Sequence, residues 1–285
     1  DMVYVIRKFR PDVLITRFPP ESYDYPTHGH HSASANLAEK AFEMAGDPKA
    51  FPDQLEKMDT WSPKRLYWNT STWFYRRTNT ELDTTDKIKV DIGAYLPELG
   101  LSCSEIAAES RSQHKSQGFG ADKTRGYQPE YLEYVMGEKA ENDLFDGIPT
   151  DWSRIEGAEN AGQFLKEAAA NFDPDQPTLV LPALVTAYKE LQKIKDRHYY
   201  IPIKLQELSE VIYAICGLHV EALAESFYAT ANDSVKVDIE LLNRSDANVK
   251  VESMAFNTTF GKVGFSKKLK NNRLEKAETH LQIDP

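Results

Sequence analysis

A helix-like run, "MVYVIRKF" from Met2, meets Arg10-Pro11-Asp12 and then at once the short apolar run "VLITRF" from Val13. Proline stops the helix by removing a backbone donor, and a short continuous apolar run suits a strand buried on both faces. With so brief a link the two elements form one αβ unit of a layered α/β sheet. The loop Pro19 to Thr27 leads into a helix expected from about His31 to Ala45. Ala35, Leu37, Ala38, Ala41, Phe42 and Ala45 lie on or near its buried face, and Gly46 ends it. The loop therefore spans a strand-to-helix junction, the side of an open α/β sheet where ligands usually bind.

Downstream, "PKRLYWNTSTWFYRR" (Pro63 to Arg77) has the aromatic character of a strand, and Ile88, Val90 and Ile92 recur at strand period. Ser102 or Ser104 caps a helix through "SEIAAESRSQHKSQ", which the glycines between Gly118 and Gly120 terminate. The mixed, acidic, turn-rich stretch from Gly126 to Gly157 is expected to be a linker or wrapping segment. Leu181, Leu184, Val185, Tyr188, Leu191 and Ile194, then Leu205, Leu208, Val211, Ile212 and Ile215, recur at spacings of three and four. That predicts two amphipathic helices, antiparallel and joined through "DRHYYIP". From Ser234 the period falls to two. "SVKVDIELLN", a turn at "RSDAN" and "VKVES" predict an antiparallel hairpin of a β-sandwich type of module. The expected division is 1–125 for the α/β part, 126–225 for linker and helices, and 226–285 for the β module. The module stops at "HLQIDP", about where a second sheet should form, and is expected to be incomplete.

A formal net charge of -10 argues against broad binding to nucleic acid or anionic membrane, which draws on a surplus of Lys and Arg. No apolar run approaches the roughly 20 residues that span a bilayer. Cys103 and Cys216 are too few and too far apart for a disulfide framework or a thiolate zinc site. A metal here must rely on histidine and carboxylate.

Histidine is concentrated in "YPTHGHH", Tyr25 to His31, which holds three of the seven in the chain. His28 and His31 are three apart at a helix start, where one turn points both imidazoles into one cleft, and neutral imidazole is a common zinc ligand. The same spacing suits a capping loop in which His28 bonds a carbonyl and His30 faces water. Catalytic zinc takes three protein ligands and a water, so two histidines make only part of a site. Trp61, Trp68, Trp73 and the neighbourhood of Tyr75 suit either a sugar-binding cleft or ordinary strand packing.

"RPDVLITRFPPESYDYPTHGHHSASANLAEKAF" resembles the middle of the PIG-L or LmbE-like family of zinc-dependent de-N-acetylases, whose pattern is R-P-D-V, a strand, then G-H-P-D-H and a helix. In the same order, "RLYWNTS" resembles the family's L-Y-W strand. "VDIGAYLPELGLSCSEIAAESRSQHKSQ" resembles its V-D-I segment followed by K-x-x-A-x-x-x-H-x-S-Q. The resemblance covers residues 5 to 117 and implies a partial Rossmann-like layered sheet. By position, His31 matches the family's zinc-ligating last histidine. His28 matches the histidine placed to stabilise or protonate the tetrahedral intermediate. Tyr25 lies near a family tyrosine that assists at the oxyanion, one residue out of register, with Pro26 in the aligned slot. His30 stands where the family has Asp, and Gly29 where it has Pro. His114 matches the histidine of H-x-S-Q and is carried over as substrate-binding, against the alternative of a helix-end histidine bonding the sheet. Trp68, on the strand that resembles L-Y-W, is the aromatic taken as substrate-binding if the tryptophans line a sugar cleft.

The family's first motif, A-H-P-D-D-E, supplies two zinc ligands and the general base, and it does not occur in this sequence. That is expected of a segment of a longer protein, or of a relative that has lost catalysis. "ATANDSVKVDIELLNRSDANVKVES" resembles the Ig-like modules that follow the deacetylase domain in long bacterial members. The resemblance thus implies that residues 1–125 are the C-terminal part of a deacetylase domain with zinc as cofactor. It implies an amino-sugar or glycoconjugate substrate of N-acetylglucosamine type, whose N-acetyl group is hydrolysed with the help of residues upstream. It also implies a periplasmic or secreted location. The alternative is a non-catalytic carbohydrate-binding or scaffolding module.

Overall fold

Helix α1 (Met2–Phe9) and strand β1 (Val13–Thr16) form where the opening sequence predicts them, and Arg10 makes the turn between them in the left-handed conformation, φ 56°. The computed structural model describes residues 1–20, 28–72, 74–75, 80–117, 120–256 and 262–283. The fold is of mixed α/β class and has two units, Asp1–Ile148 and Pro149–Pro285.

In the first unit β1 runs parallel to β2 (Arg65–Thr70), with Val13 beside Arg65 and Thr16 beside Trp68. Strand β3 (Ile88–Asp91) is followed by a small ribbon of β4 (Tyr95–Leu96) and β5 (Leu101–Ser102). Strand β6 (Pro129–Gly137) inserts antiparallel between β2 and β3, so the sheet order is β1-β2-β6-β3. This corrects the expectation of a linker from Gly126. The segment carries a central strand whose acidic residues are absorbed by partners inside the sheet. Asn69 Nδ2 donates to Glu130 at 2.7 Å, and Lys87 Nζ lies 3.0 Å from Glu133.

Helix α2 (Gly29–Gly46) packs with α1 on one face of the sheet through Val3, Ile6, Ala41 and Ala45, with Leu14 and Trp61 against them. Small residues on α2 let the helices approach closely. Arg7, fully buried, reaches the C-terminal end of α2. Its guanidinium donates to the carbonyls of Ala45 (3.1 Å), Asp47 (2.8 Å) and Ala50 (2.8 Å), and to Gln54 Oε1 (3.2 Å). The negative end of the helix dipole and the orphan carbonyls of its last turn thus serve as the counter-charge. On the other face Tyr67, Ile88, Leu132 and Ala140 form a second cluster. Buried Arg65 holds the 138–148 loop there, donating to Leu144 O at 3.1 Å and Asp146 O at 2.8 Å. Helix α3 (Cys103–Ser112) starts with a capping box, Ser102 and Glu105 each accepting the other's backbone N–H, and Arg125 Nε pairs with Glu105 at 2.8 Å.

In the second unit α4 (Glu159–Ala170), α5 (Leu181–Lys193) and α6 (Tyr200–Ile215) share one core that includes Ala161, Ala168, Leu184, Leu191, Ile201 and Leu208. The two helices predicted from spacing are α5 and α6. The β part begins earlier than expected, with β7 (Leu218–Ala224), whose apolar residues are largely exposed and show no clean alternation. It continues through β8 (Ser234–Asn243), β9 (Val249–Ala255), β10 (Lys262–Leu269) and β11 (Glu275–Gln282). The predicted β8–β9 hairpin does not form. β8 is flanked by β7 and β11 in one sheet, and β9 pairs with β10 in another. Both edges of β8 are taken, so β9 has no free edge beside it. The chain crosses between the sheets through a bend tied by Asn243, whose side chain donates to Ala247 O at 2.8 Å and accepts from Ser245 N at 3.0 Å. Val237, Ile239 and Leu241 of β8 meet Leu269 of β10 and Val249 and Val251 of β9 in one cluster, so the second sheet, expected to be missing, is present. Among the described residues no helix is long and apolar enough to cross a membrane.

Candidate functional site

The parallel pair β1–β2 ends at Thr16 and Thr70, and the residues that follow those ends come together. Phe18 lies just beyond β1, and the His31 ring stacks on it with centroids 3.6 Å apart and planes 5° from parallel. His28 is the N-cap residue of α2; its carbonyl accepts the N–H of His31 (2.9 Å) and of Ser32 (3.1 Å). That single turn brings the His28 and His31 rings to 5.5 Å between centroids, at 68° to each other. The His28 side chain makes no capping hydrogen bond to the first turn of α2. His31 is half-buried, whereas His28 and His30 are exposed.

From His31 the aromatic contacts run inward. Phe18 meets Phe74 edge-on at 6.4 Å, and Phe74 meets Trp68 at 5.2 Å. Trp68 is wholly buried, so no face of the indole is open to a sugar, and its expected contact with substrate is replaced by packing behind Phe74. Beside it in the sheet, Glu133 pairs with Trp68 across the β2–β6 ladder and accepts from Tyr75 Oη at 3.1 Å. The hydroxyls of Thr16 and Thr70 lie on this face at successive strand ends. Both are enclosed, and among the described residues neither has a hydrogen-bond partner.

His114 follows α3, exposed, its backbone N–H donating to Arg111 O at 3.0 Å. No ring contact or hydrogen bond joins it to His28 or His31. Tyr25 and Trp73 lie outside the described residues. The residues that sequence reasoning missed are Phe18, Phe74, Thr16, Thr70 and Glu133. Phe18 alone carried a signal, as the first aromatic after a strand that ends at the ligand-binding edge.

Whether this set suits zinc can be tested on its spacing. A zinc bound by His31 at about 2.0–2.1 Å would lie about 3 Å from the centroid of that ring. The His28 ring, 5.5 Å from the His31 ring between centroids, would then stand beside the metal and a group bound to it. Among the described residues, however, no group of three or more His, Cys, Asp or Glu side chains could hold a metal ion. His31 therefore offers one position of a zinc shell, and the described residues do not close one. Compared with protein-family models, curated proteins and solved structures, the chain matches none.

Proposed function

We propose that this chain is part of a zinc-dependent hydrolase that removes an N-acetyl group from an N-acetylglucosamine-type substrate. In this reading the first unit is the later part of a Rossmann-like deacetylase domain, the second carries an Ig-like module, and the protein is periplasmic or secreted. The observation that carries the proposal is the His28–His31 pair, one helical turn apart at the carboxyl end of a parallel strand pair, the edge at which open α/β sheets bind ligands.

Zinc, when bound, would polarise the amide and acidify a water. The residues of this chain do the rest of what is available here. His31 fills one ligand position, its ring held flat against Phe18. His28, exposed and adjacent, donates a proton or hydrogen bond toward the carbonyl oxygen as that atom gains charge. Further ligands and the general base come from polypeptide upstream of Asp1. The test is acetate release from N-acetylglucosamine disaccharides by the extended polypeptide and by this chain. Activity confined to the extended form, abolished by His31→Ala and strongly reduced by His28→Ala, is the expected result. Full activity in the extended His31→Ala variant would overturn the ligand assignment, and inactivity of both forms would favour a carbohydrate-binding role.

A further inference from the structure

The β11-β8-β7 sheet has two edges of different construction. β11 carries Glu275, Lys276 and Glu278, and Lys276–Glu240 (2.5 Å) and Lys236–Glu278 (3.1 Å) lace it to β8. Charges of this kind keep an edge strand from pairing with another chain. β7, "LHVEALA", has no lysine, arginine, proline or glycine, and its register against β8 runs unbroken from Leu218–Asn243 to Ala224–Val237. Val220 and Leu223 are 49% and 55% exposed, and just beyond the strand Phe227 and Tyr228 are 102% and 88% exposed. Glu221 is the one carboxylate on the strand, and the lysine, proline or bulge that usually guards an edge is absent from it.

We propose that β7 is a dimerisation edge that pairs antiparallel with β7 of a second copy of this chain, centred on Ala222. The phase of the ladder shows which backbone groups are available. Arg244 N–H donates to Gly217 O at 3.2 Å and Glu225 N–H to Lys236 O at 2.9 Å, one at each end of the strand. Odd-numbered residues therefore turn their N–H and C=O toward β8, and Leu218, Val220, Ala222 and Ala224 turn theirs outward. Two twofold registers use most of these groups. A centre at Glu221 sets the two Glu221 carboxylates directly opposite each other. A centre at Ala222 sets Val220 opposite Ala224, and His219 opposite Glu225 of the second copy, twice over. Like charges directly opposite destabilise a ladder and an imidazole opposite a carboxylate does not, which selects the Ala222 centre. The same pairing is isologous and closes as a dimer. It also continues the apolar face, since Val220, Ala222 and Ala224 stand beside Leu241, Ile239 and Val237.

Sedimentation equilibrium of the 285-residue chain at micromolar to hundred-micromolar concentration tests the proposal, with a dimer of the 32.4 kDa chain expected. Ala222→Pro deletes an outward N–H and no bond to β8, and is expected to give a monomer with unchanged circular dichroism. Should that variant misfold, Val220→Lys serves the same purpose. Glu225→Lys should weaken the dimer about tenfold, and adding His219→Glu should restore it, which reports the register. A wild-type monomer across the whole range, or a dimer indifferent to both Ala222→Pro and Val220→Lys, overturns the proposal.

Discussion

The His31 imidazole lies flat on the Phe18 ring, 3.6 Å away and within 5° of parallel. One face of the imidazole is thereby covered, and the stacking fixes the plane of the ring.

Phe18→Ala should therefore loosen the ring without removing a ligand. On the proposed zinc reading, the zinc affinity of an extended polypeptide, measured by chelator competition, is expected to fall about tenfold in Phe18→Ala, the lower end of what supporting residues contribute, and by more in His31→Ala. Unchanged affinity in Phe18→Ala would show that the stacking does not orient the ligand.

Arg7→Met removes a buried cation and leaves several carbonyls at the end of α2 without donors. The expected cost is about 3 kcal/mol in urea unfolding, since bonds to a charged group contribute more than neutral ones and orphaned acceptors add their desolvation. Arg7→Lys keeps the charge but has fewer donors, and should recover only part of the loss.

Thr70→Val tests the enclosed hydroxyl at the end of β2. An apolar group of the same shape in place of a hydroxyl that has no partner among the described residues should raise stability, by about 1 kcal/mol. A loss of that size in the urea midpoint would mean that the hydroxyl has a partner in solution.

Two carboxyls set part of the acid limb of stability. Glu105 is held below the ordinary carboxylate range first by the Ser102 backbone N–H and then by Arg125. Asp146 is lowered first by the backbone N–H of Asn142, then by those of Asp143 and Glu141 and by nearby Arg65. Because the unfolded chain binds protons more readily at these sites, their contribution is present above the ordinary carboxylate range. It is lost as pH falls through the lowered folded values. The double variant Glu105→Gln, Asp146→Asn should be less stable than wild type at neutral pH and converge with it in acid, measured as urea midpoints against pH.

What could be read from the sequence was local. The Pro11 break and the apolar run after it announced α1 and β1, and the spacings of three and four announced α5 and α6, because each pattern repeats within one element. β6 was hidden because its strand period is masked by Glu130 and Glu133, whose partners Asn69 and Lys87 lie far along the chain. The β8–β9 pairing failed for a related reason: alternation tells which face of a strand is apolar, but not which neighbour occupies its edge. At the candidate site His28 and His31 were legible as neighbours on one turn. The burial of Trp68 was one of two readings open there, and the choice between them turns on its contact with Phe74 and its neighbours in the sheet.

Arg7 has a consequence at the opposite end of α2. The helix is 18 residues long, a rod of roughly 27 Å whose far end carries His28 and His31. Fastened by several donors at its tail, such a rod cannot slide along its axis or rotate without breaking them together. The placement of two imidazoles is thus set from a distance, by an anchor at the other end of the helix, and a substitution there should show itself as a displaced pair of rings before it shows itself as an unfolded protein.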